Sequence, residues 1–238
     1  MIRLFSYPEL YGVADNNPFG LKVFAFLKLC DLAFEQEHIF DAKAAPRGQL
    51  PYIIDDGETI GDSDPIMAHL IAKHHLTIDD ALTTAQRDTD HLVRRMLDGL
   101  YWVISYSRWR DPQFWPLFRD AILRTHPQVT AENMETAQRY NFQRYHYQGI
   151  GRYEAAAVYD KGLADLQVLA DMVGKGDFLF GDKPSSADAA VYGFLANIYF
   201  YDTDTPLKRF IVSRDNLVAY CERLHALVMK LARPSSSV

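Results

Sequence analysis

The chain of 238 residues is long enough for one large or two small domains and buries a sizeable core. Hydrophobic residues make up 48% and charged ones 24%, and the net charge of −6 argues against nucleic acid or an anionic membrane as main partner. No apolar run approaches the roughly 18–20 residues that span a bilayer, and MIRLFSYPELYG lacks the apolar stretch of a secretory signal, so a cytoplasmic setting is expected.

In chain order, residues 2–6 read as a short strand. The stretch NNPFGLKVFAFLKLCDLAF then predicts a helix over 18–32, with Phe19, Val23, Phe26 or Leu27, and Cys30 at helical spacing. Asn17 stands where an N-cap belongs and Pro18 at the first helical position, and such a start offers N–H groups and partial positive charge to an anion. A strand pattern over 34–40 follows, then the loop DAKAAPRGQ. LPYIIDDGETIGDSD predicts strands at 51–54 and 58–60 joined by an Asp56-Gly57 hairpin turn. Asp62, Ser63 and Asp64 precede Pro65 and IMAHLIAKHH, a capped helix ending near His75.

Residues 1–76 thus form one unit of order βαβ, loop, ββα. A linker over 77–84 leads to an all-helical unit over 85–232, with helical patterns at 83–110, 113–125, 130–148, 152–174, 186–201 and 213–231. The last residues, 233–238, read as a disordered tail. Cys30 and Cys221 lie far apart in apolar helical patterns and read as buried free thiols. The histidines show no metal-ligand spacing, and the absence of a C-x-x-C pair disfavours disulfide exchange.

Three widely spaced motifs give this order a family resemblance: GQLPYIIDDG, IGDSDPIMAHL and FLFGDKPSSADAAVYGFLA. Together they resemble the glutathione S-transferase superfamily: a strand entered through a cis-proline, an acid-Ser pair opening a helix, and a buried capping box, here Ser185 and Asp188. PFGLKV, APRGQLPYIIDDGE, LYWVISYSRW, HYQGIGRY and NLVAYCERL are most similar to its failed-axon-connections and metaxin-like branch, which mixes enzymes with members of non-catalytic role. The resemblance implies an α/β thioredoxin-like N-terminal domain that binds glutathione, an all-α C-terminal domain that lines the electrophile pocket, and a homodimer.

It also implies roles for particular residues. Leu50 and Pro51, joined by an expected cis bond, would pair with the cysteinyl backbone of glutathione. Ser63 and its helix start would take the γ-glutamyl carboxylate, with Asp62 facing the ammonium. Lys43, Arg47 and Gln49 are candidates for the glycine carboxylate, although the family often has Lys where Gln49 stands. Ser185 and Asp188 are structural. Related sequences place Ser or Cys near the start of the first helix, whereas this chain has Asn17-Pro18-Phe19-Gly20. Asn17 is therefore the leading thiolate donor, with Tyr7 or Tyr11 as alternatives. Tyr106, Arg108 and Trp109, on the aromatic-rich helix, are the candidates for the acceptor pocket. The expected function is activation of glutathione for attack on a hydrophobic electrophile; the alternative is a non-catalytic glutathione-binding or scaffolding protein.

Overall fold

The computed structural model describes residues 1–174 and 176–230; the expected tail at 233–238 lies outside the described residues. Strand β1 (Ile2–Ser6) buries Ile2 and Leu4 fully. Phe5 stacks on its cross-strand partner Tyr52, with ring centroids 4.3 Å apart. Helix α1 (Pro18–Leu29) crosses over and returns the chain as β2 (Phe34–His38), parallel to β1 with Ile2 opposite Phe34. β2 ends earlier than expected because the Asp41 carboxylate accepts the Lys43 N–H at 2.9 Å and opens a 3-10 turn.

That turn (Ala42–Ala44) and a second (Pro46–Gly48) fill the connection to β3, and the Leu50–Pro51 peptide between them and the strand is cis. β3 (Tyr52–Asp55) and β4 (Glu58–Gly61) are antiparallel, joined through Asp56 (φ 50°) and Gly57 (φ 90°), and the sheet order is β2-β1-β3-β4. Two successive positive φ values are what an Asp-Gly hairpin turn needs. Helix α2 (Ser63–His74) follows directly.

The helical half contains α3 (Thr84–Trp109), α4 (Trp115–Thr125), α5 (Ala131–Gln148), α6 (Ala155–Met172), α7 (Ser186–Tyr199), α8 (Pro206–Val212) and α9 (Asp215–Lys230). α6 starts later than expected because Gly149 (φ 107°) ends α5 and Ile150–Arg152 forms a 3-10 turn. The single helix expected over 213–231 is preceded by a separate one. Thr205 accepts the Lys208 N–H at 3.2 Å and Pro206 takes the first helical position, so α8 has its own start. α7 is the central helix, buried without a break from Ser186 to Ile198. It crosses α1 at Gly193, where a Cβ would lie 2.6 Å from the Pro18 carbonyl oxygen. Only a glycine allows this approach, which seats the start of α1 against the helical half.

The capping box lies at the start of α7. Asp188 Oδ2 accepts the Ser185 N–H at 2.8 Å and its hydroxyl at 2.7 Å, while Oδ1 accepts the Leu179 N–H at 2.8 Å and the Tyr220 hydroxyl at 2.7 Å. A second polar network ties the halves together. Lys22 on α1 pairs with Asp64 on α2, and Arg94 on α3 donates to Asp64 at 2.8 Å, Asp90 at 2.9 Å and the Ser186 hydroxyl at 2.7 Å. Asp79, in the expected linker, accepts the Ser186 N–H at 2.9 Å, which pins the connection to the start of α7. Arg94→Met will strand Asp90, leave Asp64 to Lys22 and Arg95, and lower stability by about 2–3 kcal/mol, measured by urea denaturation. An unchanged midpoint would contradict this role.

Candidate functional site

A cleft of about 770 Å³ runs between the sheet half and the faces of α3 and α5. Its base is formed by Tyr7, at the end of β1, and by Asn17 and Phe19, at the start of α1. Asn17 is the N-cap of α1: its Oδ1 accepts the Phe19 N–H at 2.9 Å. That bond points the Nδ2 away from the helix, and Nδ2 has no partner among the described residues. The amide is therefore a donor available at the cleft.

Beneath it the Asn17 N–H donates to Asp15 Oδ1 at 2.6 Å. Asp15 is fully buried and its Oδ2 lacks a hydrogen-bond partner, so burial pushes its carboxyl well above the usual range. A Cβ at Gly20 would stand 1.6 Å from this oxygen, which accounts for the glycine in the first turn of α1. Tyr7 is half-buried, and burial, assisted by Tyr101 and Asp15, pushes its phenol up to about 12, with Arg144 opposing. At neutral pH it is an uncharged donor facing the same space as Asn17.

One side of the cleft carries Arg47, Gln49, Leu50, Pro51, Asp62 and Ser63. Ser63, 2% exposed, opens α2, and Asp62 before it makes no side-chain cap bond. The first N–H groups of α2 thus lack the side-chain cap that α1 has, a setting that suits a carboxylate. Asp62 is paired with Arg47 at 2.7 Å, and Arg47 also reaches Gln49 Oε1 at 3.4 Å. Lys43 stands apart: its side chain is 91% exposed beside Asp41, and it does not line the cleft.

Tyr11 is also apart from the cleft. A turn closed by backbone bonds between Leu10 and Val13 carries the Tyr11 ring onto Tyr201, with centroids 4.6 Å apart. The expected acceptor residues need correction as well. Tyr106 is buried, against Tyr145 and Tyr159, and faces away from the cleft. Arg108 is a buried strut whose guanidinium donates to the Asn16 and Asn197 carbonyls and lies 3.8 Å from the Tyr201 ring. Trp109 stacks on Trp115 at 5.4 Å. Arg108 and Trp109 border only a side cavity of about 90 Å³, which they share with Tyr7, Asn17, Tyr101 and Arg144.

The far wall is built instead by Arg95, Asp98, Tyr101 and Trp102 of α3 with Tyr140 and Arg144 of α5. Residues 95, 98 and 101 or 102 share one helical face, and Tyr106 lies about 140° round from Tyr101 at 100° per residue. The aromatic density of α3 is a usable signal, but only the phase of the helix decides which of its rings reach the cleft. Tyr140 and Arg144, one turn apart, give no signal until α5 is known to face α3.

The family model of the glutathione S-transferase N-terminal domain matches residues 18–114, and that of the glutathione S-transferase C-terminal domain matches residues 162–224. The isoprene-epoxide–glutathione S-transferase of Rhodococcus sp. (strain AD45) is 29% identical over 233 residues, 94% of this chain and 98% of that protein. Failed axon connections of Drosophila melanogaster is 26% identical over 94% of this chain, which spans 57% of that protein's length. A solved glutathione S-transferase of Methylobacterium radiotolerans, in complex with glutathione sulfonate, has the same fold: TM-score 0.62 at 16% identity, covering 100% of this chain and 97% of its own. With both halves matched by their family models, with the fold shared, and with the cleft where the two halves meet, the chain belongs to the glutathione S-transferase superfamily.

Proposed function

We propose that the protein is a glutathione transferase that activates the thiol of glutathione for attack on a hydrophobic electrophile. The observation that carries this reading is the meeting of two helix starts and a neutral phenol on one cleft. The start of α2 at Ser63 suits the γ-glutamyl carboxylate, and Asn17 with the Tyr7 hydroxyl suits a thiolate. Leu50 and Pro51 would flank the cysteinyl backbone, Asp62 would face the ammonium, and Arg47 and Gln49 the glycine carboxylate. Phe19, Tyr101, Trp102 and Tyr140 would hold the electrophile. The likeness to an enzyme named for an epoxide and glutathione supports the reaction class. A cytoplasmic homodimer belongs to the same proposal through the family resemblance.

A second reading, a protein that holds glutathione without activating it, is favoured by the lack of Ser or Cys at the start of α1. Calorimetric titration with glutathione addresses the shared part of both. Wild-type protein will bind, and Ser63→Ala will weaken binding about 10-fold by removing one hydrogen bond to a charged group. Absence of binding, or equal affinity in the variant, would contradict the site.

A further inference from the structure

Asp15, in the loop between β1 and α1, is fully buried. Its Oδ1 accepts the Asn17 N–H at 2.6 Å, while Oδ2 has no partner among the described residues and rests against Gly20 in the first turn of α1. The cation facing it from α3 does not answer the carboxyl. Arg108 donates to the Asn16 and Asn197 carbonyls and, at 3.0 Å, to Asn197 Oδ1. Asn197 on α7 donates in turn to the Asp15 backbone carbonyl at 3.2 Å. Donors from both helices thus reach the backbone of this loop and pass the carboxyl by. The other titratable groups that face it are phenols, Tyr7 after β1 and Tyr201 after α7, and neither brings positive charge. Burial outweighs the help from Asn17, Tyr7, Ser6 and Arg108, so the carboxyl is pushed well above its usual range.

We propose that Asp15 is a positioning residue of the thiolate site and that its working form is the neutral carboxylic acid. This rests on the transferase reading above. The acid has two effects. Its Oδ1 holds the Asn17 N–H, and so fixes the residue whose Nδ2 is available at the cleft. Its lack of charge leaves the partial positive charge of the α1 start to the sulfur. An ionised Asp15 would place a full negative charge beneath the same helix start, where low-polarity surroundings leave little water to weaken the repulsion of a thiolate. The thiolate and the Asp15 carboxylate therefore oppose each other, and the site works with a single negative charge, on sulfur. Raising the pH past the pKa of Asp15 weakens the hold on the thiolate.

The test compares full-length wild-type protein with Asp15→Asn, which keeps the shape of the protonated acid and cannot ionise. Urea denaturation comes first, from about pH 4 to about pH 9. An acid whose folded pKa is raised contributes stability that is complete below its unfolded pKa and is lost as the pH rises through the folded one. The unfolding constant of the wild type, relative to that of Asp15→Asn, will therefore rise by up to about tenfold per pH unit and level off at the folded pKa. This readout involves no glutathione. In the wild type, kcat/KM for glutathione will fall above the pH at which that rise ends, and Asp15→Asn will lack this alkaline limb. Equal stability slopes in the two proteins overturn the assignment, because Asp15 is then ionised throughout. A wild type without the limb overturns it too, as does a limb that Asp15→Asn retains. The same holds if Asp15→Asn binds glutathione with the thiol pKa of the free peptide while the wild type lowers it. Each of these results leaves the transferase reading standing. A wild type that binds glutathione without lowering its thiol pKa overturns that reading, and the role of Asp15 with it.

Discussion

Asp188→Ala will lower the stability of the protein by about 4–5 kcal/mol, because it removes the acceptor from several buried donors at once, each worth about 1–3 kcal/mol when stranded. The Leu179 N–H, the Ser185 N–H and the Tyr220 hydroxyl all end on this carboxylate, and none has water to turn to: Asp188 is fully buried and Tyr220 is 1% exposed. The loss falls on the first turn of α7, the helix against which α1 and α3 both pack. Asp188→Asn keeps the shape but turns an NH₂ toward a donor, so its cost should be intermediate. Urea denaturation of both variants measures the order. Below the transition, glutathione affinity should match that of the wild type, because Asp188 lies outside the cleft. Full stability in Asp188→Ala would contradict the bonding described for the box.

Removing a thiolate donor has the larger effect on function. Tyr7→Phe deletes a phenol that burial keeps neutral, and kcat/KM for conjugation of a hydrophobic electrophile to glutathione should fall about 10²-fold while glutathione affinity changes little. Asn17→Ala is a less clean probe, since it also removes the N-cap of α1, worth about 1 kcal/mol. Asn17→Asp separates the two roles. The carboxylate still caps α1 but cannot donate, and it sets a negative charge beside the sulfur. Turnover should therefore drop in Asn17→Asp with stability retained. If Tyr7→Phe abolishes turnover and Asn17→Ala leaves it unchanged, the amide is only a cap and Tyr7 alone activates the thiol.

What could be read from the sequence followed from local chemistry. Asn17-Pro18 and Asp56-Gly57 name a helix start and a hairpin turn because cap geometry and positive φ are satisfied by adjacent residues alone. Thr205-Pro206 carries the same kind of signature and opens α8, yet this helix falls between the expected patterns at 186–201 and 213–231, because seven residues are too few to show a helical period. The wall of the cleft that carries Leu50, Pro51, Asp62 and Ser63 was legible through the family resemblance, whose motifs fall there on two neighbouring segments. The far wall was not. The places of Tyr101 and Arg144 on it depend on α3 meeting α5, a contact between residues more than 40 positions apart, and Tyr106 is buried on another face of α3. Asp15 was also missed, because a lone acid in a loop gives no sign that it will be buried beneath a helix start.

On the transferase reading, this cleft activates the thiol it binds. Its most direct test is an ultraviolet titration of the thiolate of glutathione bound to the wild-type protein, beside Asn17→Asp and Tyr7→Phe. The expected result is a thiol pKa well below that of free glutathione, rising toward the free value in each variant. Saturated binding with the pKa of free glutathione in the wild type would contradict it, and would make the chain a holder of glutathione rather than a transferase.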